Sequence, residues 1–580
     1  MASNLRGNAI VASANSQFIS IVPENGEQFK PTQKIIYNIE PEVGFIKQDS
    51  YLIFDVANTS SDLSRVCLQK NLGAHALIDR VDIFSKETGI LLESNTHYRE
   101  LVNMEHEYMH DSVVGLQNQQ GVGTPVQSWT HQVSATNVAT AKRSVPKARD
   151  IENNQLSPVA NVNTWAVDNA KYMTRRFCIP LKVGLFGAYE ADEKAIPVMA
   201  MGGLRIEITL AKAKDAVQKL AGCYIDTAYN SSENRVPVDW VEGHATLTDG
   251  ANLSAGTDCN VVFDYTGVAS AGWSGTHGAI TAEQAQDLGL LIGMACSITG
   301  TIQGGGVYEK TGVISAVALD TDRKQIVNGV QVDTCTKLTI TFVVDAGPNV
   351  LATGAVFKLL QTNHNYEIKN TEFRLLQLVA PPQVSDGVIK GIDYEFTGYE
   401  VFFDNIPSGT LRHQIPINSV ASKAVALFTQ LHYTRNADGD LEGTQDKIGG
   451  NLPRDTLVNE IVYFINNRLY PLRSYNPQKH ADRVLCLNEL VKAFRAIGKQ
   501  PLNLGAVDYC DMEDYTNTPL IARELARGGM VFDLRNAEPE IRLGFSGTRG
   551  AADKGILRSN TYVFSKKVIQ TTATGVQVIH

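Results

Sequence analysis

One short pattern is written into this chain twice. The first copy reads Leu77-Ile78-Asp79-Arg80-Val81-Asp82-Ile83-Phe84, a turn at Lys86-Glu87-Thr88-Gly89, Ile90-Leu91-Leu92, and then Asn95-Thr96-His97-Tyr98 opening a helix. The second reads Val458-Asn459-Glu460-Ile461-Val462-Tyr463-Phe464-Ile465, a turn at Asn466-Asn467-Arg468, Leu469-Tyr470-Pro471-Leu472, and then Ser474-Tyr475-Asn476-Pro477 opening another helix. β-Branched and aromatic residues bounded by turn formers predict strand, turn, strand, polar cap and helix in each. A lone hairpin is at best marginally stable, so each copy needs further strands around it. The repeat therefore constrains the chain to two β-rich bodies of common design.

Length agrees, because 580 residues exceed what one core organises and predict two to four domains. Charged residues make up only 19% of the chain and there are 47 glycines, a balance that fits many turns and surface destined to face other protein. The net charge is -9, and neither end carries a Lys/Arg run, so phosphate-backbone attraction is not a feature of the sequence. The eight cysteines, Cys67, Cys178, Cys223, Cys259, Cys296, Cys335, Cys486 and Cys510, stand singly. None has metal-ligand or CxxC spacing, and they read as small thiols in a reducing compartment. Met1-Ala2-Ser3-Asn4-Leu5-Arg6 lacks an apolar signal core, and no run of about 20 apolar residues occurs, so cytosolic synthesis without a membrane span is expected.

Along the chain, residues 1–30 read as a flexible arm with one apolar stretch, Phe18–Val22. Strands are predicted at 34–39, 51–56, 172–179 and 204–210, the last strictly alternating as for one solvated face. Tyr98, Leu101, Val102, Glu105, Tyr108 and Met109 share one side of a helix over about 96–110. A polar stretch follows to about 165. Between about 225 and 362 Gly, Thr, Ala and Ser rise and strands are short, which predicts a separate β-rich module with one short helix opening at Thr281 and capped by Gln284. Strand signals resume at Tyr366–Asn370 and Phe373–Val379. The second unit offers strands at 399–403, 423–429, 461–464, 530–534, 541–545 and 561–564. Its helix, over about 477–497, carries an apolar stripe of Val484, Leu487, Leu490, Val491, Phe494 and Ile497.

Catalytic motifs are weak. His106-Glu107-Tyr108-Met109-His110 has the HExxH spacing that sets two imidazoles on one helical face to share zinc. No Glu follows between Asp111 and Asp150 as third ligand, and Val113 and Leu116 replace the Gly and His of the longer motif. His131 could serve only in an unfamiliar arrangement, so the pentapeptide reads as a helix flank. Gly304-Gly305-Gly306 lacks phosphate-loop context. Gly272–Thr276 and Gly544–Thr548 miss the nucleophile-elbow spacing. Asp438-Gly439-Asp440 fits a hairpin turn, while Glu190 with Asp192, and Asp511 with Glu513 and Asp514, read as solvated faces. Arg175-Arg176 reads as an outward-facing or edge pair at a subunit contact. No catalytic, cofactor-binding or metal residue is assigned, and no cofactor is expected.

Several segments carry a family resemblance. Gly73–Val81, Leu91-Leu92-Glu93, Asn95-Thr96-His97-Tyr98, Phe177-Cys178-Ile179-Pro180-Leu181, Gly202–Ile208 and Tyr470-Pro471 resemble the double jelly-roll major capsid proteins of virophages and Polinton-like viruses. The resemblance implies an all-β-dominated fold of two tandem antiparallel jelly rolls, each with a short helix. It divides the chain into an arm at 1–30, a first roll at 31–224 and 363–390, an inserted module at 225–362 that projects outward, and a second roll at 391–580. The module itself matches nothing in that family. The implied function is a non-enzymatic capsid protein that assembles as trimeric pseudo-hexagonal capsomers into an icosahedral shell. Its implied partners are copies of itself, neighbouring trimers, and vertex and minor or cement proteins, with no sequence-specific nucleic-acid binding. The implied location is the virion, after synthesis in the host cytoplasm. Two alternatives stay open: a minor spike or vertex component, and a β-rich glycan-binding protein whose site would lie near Trp273.

Overall fold

A computed structural model describes residues 16–48, 50–59, 66–68, 72–109, 129–132, 143–146, 174–190, 194–219, the strands between 258 and 359, 365–379, 391–407, 409–434, 441–442, 458–465, 468–469, 473–477, 479–499, 521–526, 532–535, 537, 539–545, 557–572 and 575–580. The principal strands of the first half are β1 (Ser16–Ile21), β2 (Lys34–Ile39), β3 (Tyr51–Asn58), β4 (Ile78–Ser85), β5 (Leu91–Asn95), β6 (Thr174–Pro180), β7 (Leu204–Leu210) and β8 (Tyr366–Leu378). Those of the second half are β9 (Asp393–Ile406), β10 (Arg412–Pro416), β11 (Ala424–Thr434), β12 (Val458–Ile465), β13 (Arg468–Leu469), β14 (Ile521–Glu524), β15 (Glu540–Phe545) and β16 (Leu557–Thr572). A last strand, β17 (Gly575–Ile579), turns back along β16. Helix α1 (Tyr98–Met109) follows β5, and α2 (His480–Ala496) follows β13.

Pairing in the first half is β1·β8·β3·β6 in one antiparallel sheet and β2·β7·β4·β5 in the other. The second half repeats this as β9·β16·β11·β14 and β10·β15·β12·β13, each label raised by eight. That is the order produced when a long hairpin pairing first strand with eighth, second with seventh, third with sixth and fourth with fifth is rolled into two facing sheets, the jelly roll. The repeated motif of the sequence is the fourth strand, fifth strand and helix of each roll.

Alternation explains which face each strand buries. Ile35, Tyr37 and Ile39 of β2, and Leu204, Ile206, Ile208 and Leu210 of β7, point inward at 2% exposure or less. They meet Leu52, Phe54, Phe177, Phe373 and Leu375 of the facing sheet in one core. Each such side chain contributes about 1.5–3 kcal/mol by burial. The described strands of the module pair with one another, in a five-stranded and a three-stranded antiparallel sheet, and are inserted between β7 and β8.

Consecutive strands run in opposite directions, so the connections β1–β2, β3–β4, β5–β6 and β7–β8 emerge at one end and the rest at the other. The long excursions of the first roll, 59–77, 96–173 and 211–365, all leave from the first end. So do 435–457 and 470–520 of the second roll. The other end holds short turns such as 86–90 and 466–467.

Three sequence expectations change. The arm expected over 1–30 contains β1, which covers the free edge of β8 and packs Ile19 and Ile21 on the core. The signals at 366–379 form the single last strand expected of the first roll, with a bulge between Lys369 and Glu372 where Asn370 takes a φ of 48°. Of the strand expected at 530–534, the described residues 532–534 show a bridge between Phe532 and Ala424. The stripe of α2 is rotated: Val484 is 50% exposed, while Cys486, Glu489, Leu490, Ala493, Phe494 and Ile497 are buried. The cause is Arg523 of β14, which draws Glu489 into the buried face at 2.7 Å. The expected helix after Thr281 lies outside the described residues.

Candidate functional site

Among the described residues, no group of three or more His, Cys, Asp or Glu side chains converges as a metal site. The side chains of His106, Glu107 and His110, the segment at Gly304–Gly306, Asp438–Asp440 and the acidic residues at 511–514 lie outside the described residues. Glu190 is not a solvated carboxylate: its side chain is 10% exposed, pairs with Lys194 at 2.7 Å, and burial pushes its pKa up. Arg176 does face outward, holding Asp55 at 2.7 Å from the edge strand β6, and its guanidinium keeps that carboxyl below the usual range. An open groove of about 550 Å³ at the long-connection end of the second roll is lined by Arg412, Glu460, Tyr475, Lys479, Asp482 and Gly544. Its charges are partly engaged with one another, Arg412 with Glu460 at 3.8 Å and Asp482 with Arg473 at 3.2 Å.

The most elaborated surface is the seam between the rolls. β9 and β16 are long enough to serve both bodies. Their near ends, with β17, send Tyr394, Phe396, Ile569 and Val576 into the core of the first roll. Their far ends carry Tyr399, Tyr562, Val563 and Phe564 into the core of the second. In return α1 gives Leu101 and Met104 to the second core, and the loop after β6 gives Tyr189. Tyr189 sits edge-on to Phe564, with ring centroids 4.9 Å apart, a favoured aromatic geometry.

Hydrogen bonds fix the register of this seam. Gln48 Nε2 donates to the Tyr394 hydroxyl at 3.1 Å, and that hydroxyl donates to the Leu185 carbonyl at 3.4 Å. Tyr399 Oη donates to the Thr96 carbonyl at 3.1 Å, and Gln430 Nε2 to that of Glu100 at 3.3 Å. Gly184 passes so close to β9 that a Cβ there would stand 2.1 Å from the Thr397 carbonyl oxygen. The loop is held by Glu93, 2% exposed, whose carboxylate accepts the N–H groups of Gly184 and Leu185, each at 2.8 Å. Burial raises the pKa of Glu93 and lowers that of Lys567 of β16, and the attraction between the two groups opposes both shifts.

A second ionic knot joins the helices. Glu105 of α1 is 1% exposed and lies 3.9 Å from both Lys182 of the first roll and Lys499 just beyond α2. Burial pushes the Lys499 ammonium down to about 8. In the unfolded chain the same group titrates near about 10.4. Between these values the unfolded state holds a proton that the folded state has lost, so stability rises as pH climbs through about 8 to 10. Thermal unfolding of the parent and Lys499→Met proteins across this window checks the sign: the parent gains on the variant with rising pH, and a constant difference contradicts the assignment.

Sequence reasoning placed Glu105 on the buried side of α1 but did not find the seam. Its residues come from six separated segments of the chain. No protein-family profile matches the chain, and no curated protein matches it. Among solved structures it is similar to the Faustovirus major capsid protein, at 10% identity and TM-score 0.49 over 97% of this chain and 91% of that one. It is also similar to the PBCV-1 virus capsid, at 10% identity and TM-score 0.43 over 98% and 97%, and to the mavirus major capsid protein, at 9% and 0.35 over 97% and 90%. The strand order is read directly from the hydrogen-bonded ladders. Written twice in one chain, that order makes this a double jelly-roll protein, the fold implied by its resemblance to viral major capsid proteins.

Proposed function

We propose that this chain is a major capsid protein, without enzymatic activity, that self-assembles as trimeric pseudo-hexagonal capsomers of an icosahedral shell. The observation that carries the reading is the doubled roll with its ordered seam. Two bodies of one design, locked at a fixed angle, make a block of near-sixfold outline when three chains close a ring. A minor vertex component built on a single roll does not account for the second. The partners of this reading are copies of itself, neighbouring trimers, and vertex and cement proteins, and its location is the virion, following synthesis in the host cytoplasm. Among the described residues no helix is long and apolar enough to cross a membrane.

The domain division of this reading is a first roll at 31–224 and 363–390, extended to include β1, a module at 225–362 and a second roll at 391–580. The module at 225–362 belongs to the β7–β8 connection and leaves from the end that bears the other long excursions, which supports an outward projection. Interfaces that hold obligate assemblies together bury roughly 2,000–5,000 Å², so the isolated chain is not expected to persist. Light scattering on the purified protein should give three times 63.3 kDa, and a stable single-chain mass contradicts the reading. On assembled particles, protease should cut within 225–362 first.

A further inference from the structure

The seam carries a histidine in an unusual position. His97, between β5 and α1, has a φ of 53°, the left-handed region that a non-glycine residue enters only where its surroundings hold it there. The carbonyls before and after it are tied to the second roll, Thr96 accepting from Tyr399 Oη and Glu100 from Gln430 Nε2. The half-buried ring of His97 faces the same way. Its Nε2 lies 3.4 Å from Arg558 Nη2 of β16, and the ring stands edge-on to Phe403 of β9 with centroids 6.2 Å apart. The Arg558 guanidinium lies over that same Phe403 ring at 4.9 Å. One imidazole thus joins the β5–α1 junction to both long strands of the seam.

Chemistry fixes the state of this imidazole. A guanidinium only donates, so Nε2 accepts from Arg558 and the ring proton sits on Nδ1, which faces Glu100 Oε2 at 4.0 Å. The contact exists only for neutral His97, because a second proton would set an N–H against the guanidinium and two cations side by side. Arg558 has no substitute at hand, since its buried Nε lacks a hydrogen-bond partner among the described residues. Burial holds His97 below the usual histidine range. Attraction to Glu100 and to Asp79 of β4 opposes that shift, and repulsion from Arg558 and Arg99 adds to it. Arg99 is itself engaged with the Asp215 carbonyl at 2.6 Å and with Glu100 at 3.3 Å.

We propose that His97 is an acid-sensitive latch between the rolls: neutral, it binds Arg558 and closes this end of the seam, and protonated, it releases Arg558 and loosens it. The device acts within one chain, so it stands whether or not three chains close a ring. The sign follows from linkage. Opening exposes the imidazole to water, where it titrates near about 6.5. Between that value and the lower one of the closed seam, the open state holds the extra proton, so falling pH favours opening. On the capsomer reading, a shell of such blocks is firm at neutral pH and weakens in an acidic compartment.

The test uses the full-length protein. The amide of Leu101 bonds to the His97 carbonyl at 3.2 Å and reports on the junction. Corrected for intrinsic exchange chemistry, its hydrogen-exchange protection should fall about tenfold from about pH 7 to about pH 5, while the amides of β2 and β7 hold theirs. His97→Asn should abolish the fall, since asparagine tolerates a positive φ and takes up no proton. Exchange at the imidazole C2 position, followed by mass spectrometry, reads the titration of His97 itself. Its midpoint should lie below that of an exposed histidine and should rise in Arg558→Gln, whose amide still donates but carries no charge. Level protection in the parent, an equal fall in His97→Asn, or a midpoint that Arg558→Gln leaves unmoved overturns the latch.

Discussion

Replacing Glu489 by leucine should cost about 3–5 kcal/mol and lower the unfolding temperature of the second roll by roughly 10 °C. Arg523 is 1% exposed and meets Glu489 at 2.7 Å, with Tyr475 Oη at 3.4 Å beyond it. Deleting the carboxylate leaves a guanidinium between two sheets with its principal counter-charge gone, and marginal folding free energies do not absorb such a loss easily. The decisive comparison is Glu489→Leu with Arg523→Met. An apolar pair of similar volume is often as stable as the buried ion pair it replaces, so the double variant should recover most of the lost stability. If the double variant unfolds at least as early as the single one, the ion pair is not what sets the rotation of α2.

Gly184→Val should disrupt the seam itself, by about 4 kcal/mol. The new Cβ would meet the Thr397 carbonyl oxygen at 2.1 Å and Glu93 Oε1 at 2.9 Å. The first is backbone, so the loop must retreat from β9. Its retreat removes two charge-assisted N–H bonds from a buried carboxylate, worth roughly 1.5–3 kcal/mol each, on top of the overpacking strain. Hydrogen exchange reads the effect where it occurs: the amides of Gly184 and Leu185 should lose protection in the variant while those of β2 and β7 keep theirs. Unchanged protection at both positions would show that the loop does not depend on its close approach.

What the sequence disclosed was local. The pattern of β4, β5 and α1, repeated as β12, β13 and α2, was visible because its strands bury one face against their own roll and its helices carry an apolar side. Strict alternation made β7 plain to the residue. The long strands were harder: β16 runs from Leu557 to Thr572, yet only Thr561–Phe564 stood out, because its remainder carries Ser559, Asn560, Ser565 and Lys567. Those residues are buried between partners rather than solvated, so polarity ceased to mark the surface. β1 was hidden for the opposite reason, since an edge strand with Phe18 exposed does not alternate cleanly. The seam was invisible in the one-dimensional record, because Glu93, Gly184, Tyr399 and Lys567 acquire meaning only when two rolls meet. The rotated face of α2 had a faint signal in Glu489, a charge at helical spacing with Cys486 and Ala493.

The one-sided placement of the long connections bears on how such a chain can change. Lengthening an existing loop costs only about 0.6 kcal/mol per doubling, and the described strands of the module share no ladder with either roll. The junction between β7 and β8 is therefore a socket: foreign cargo grafted there in place of the module should leave the scaffold beneath with the ladders that hold it together.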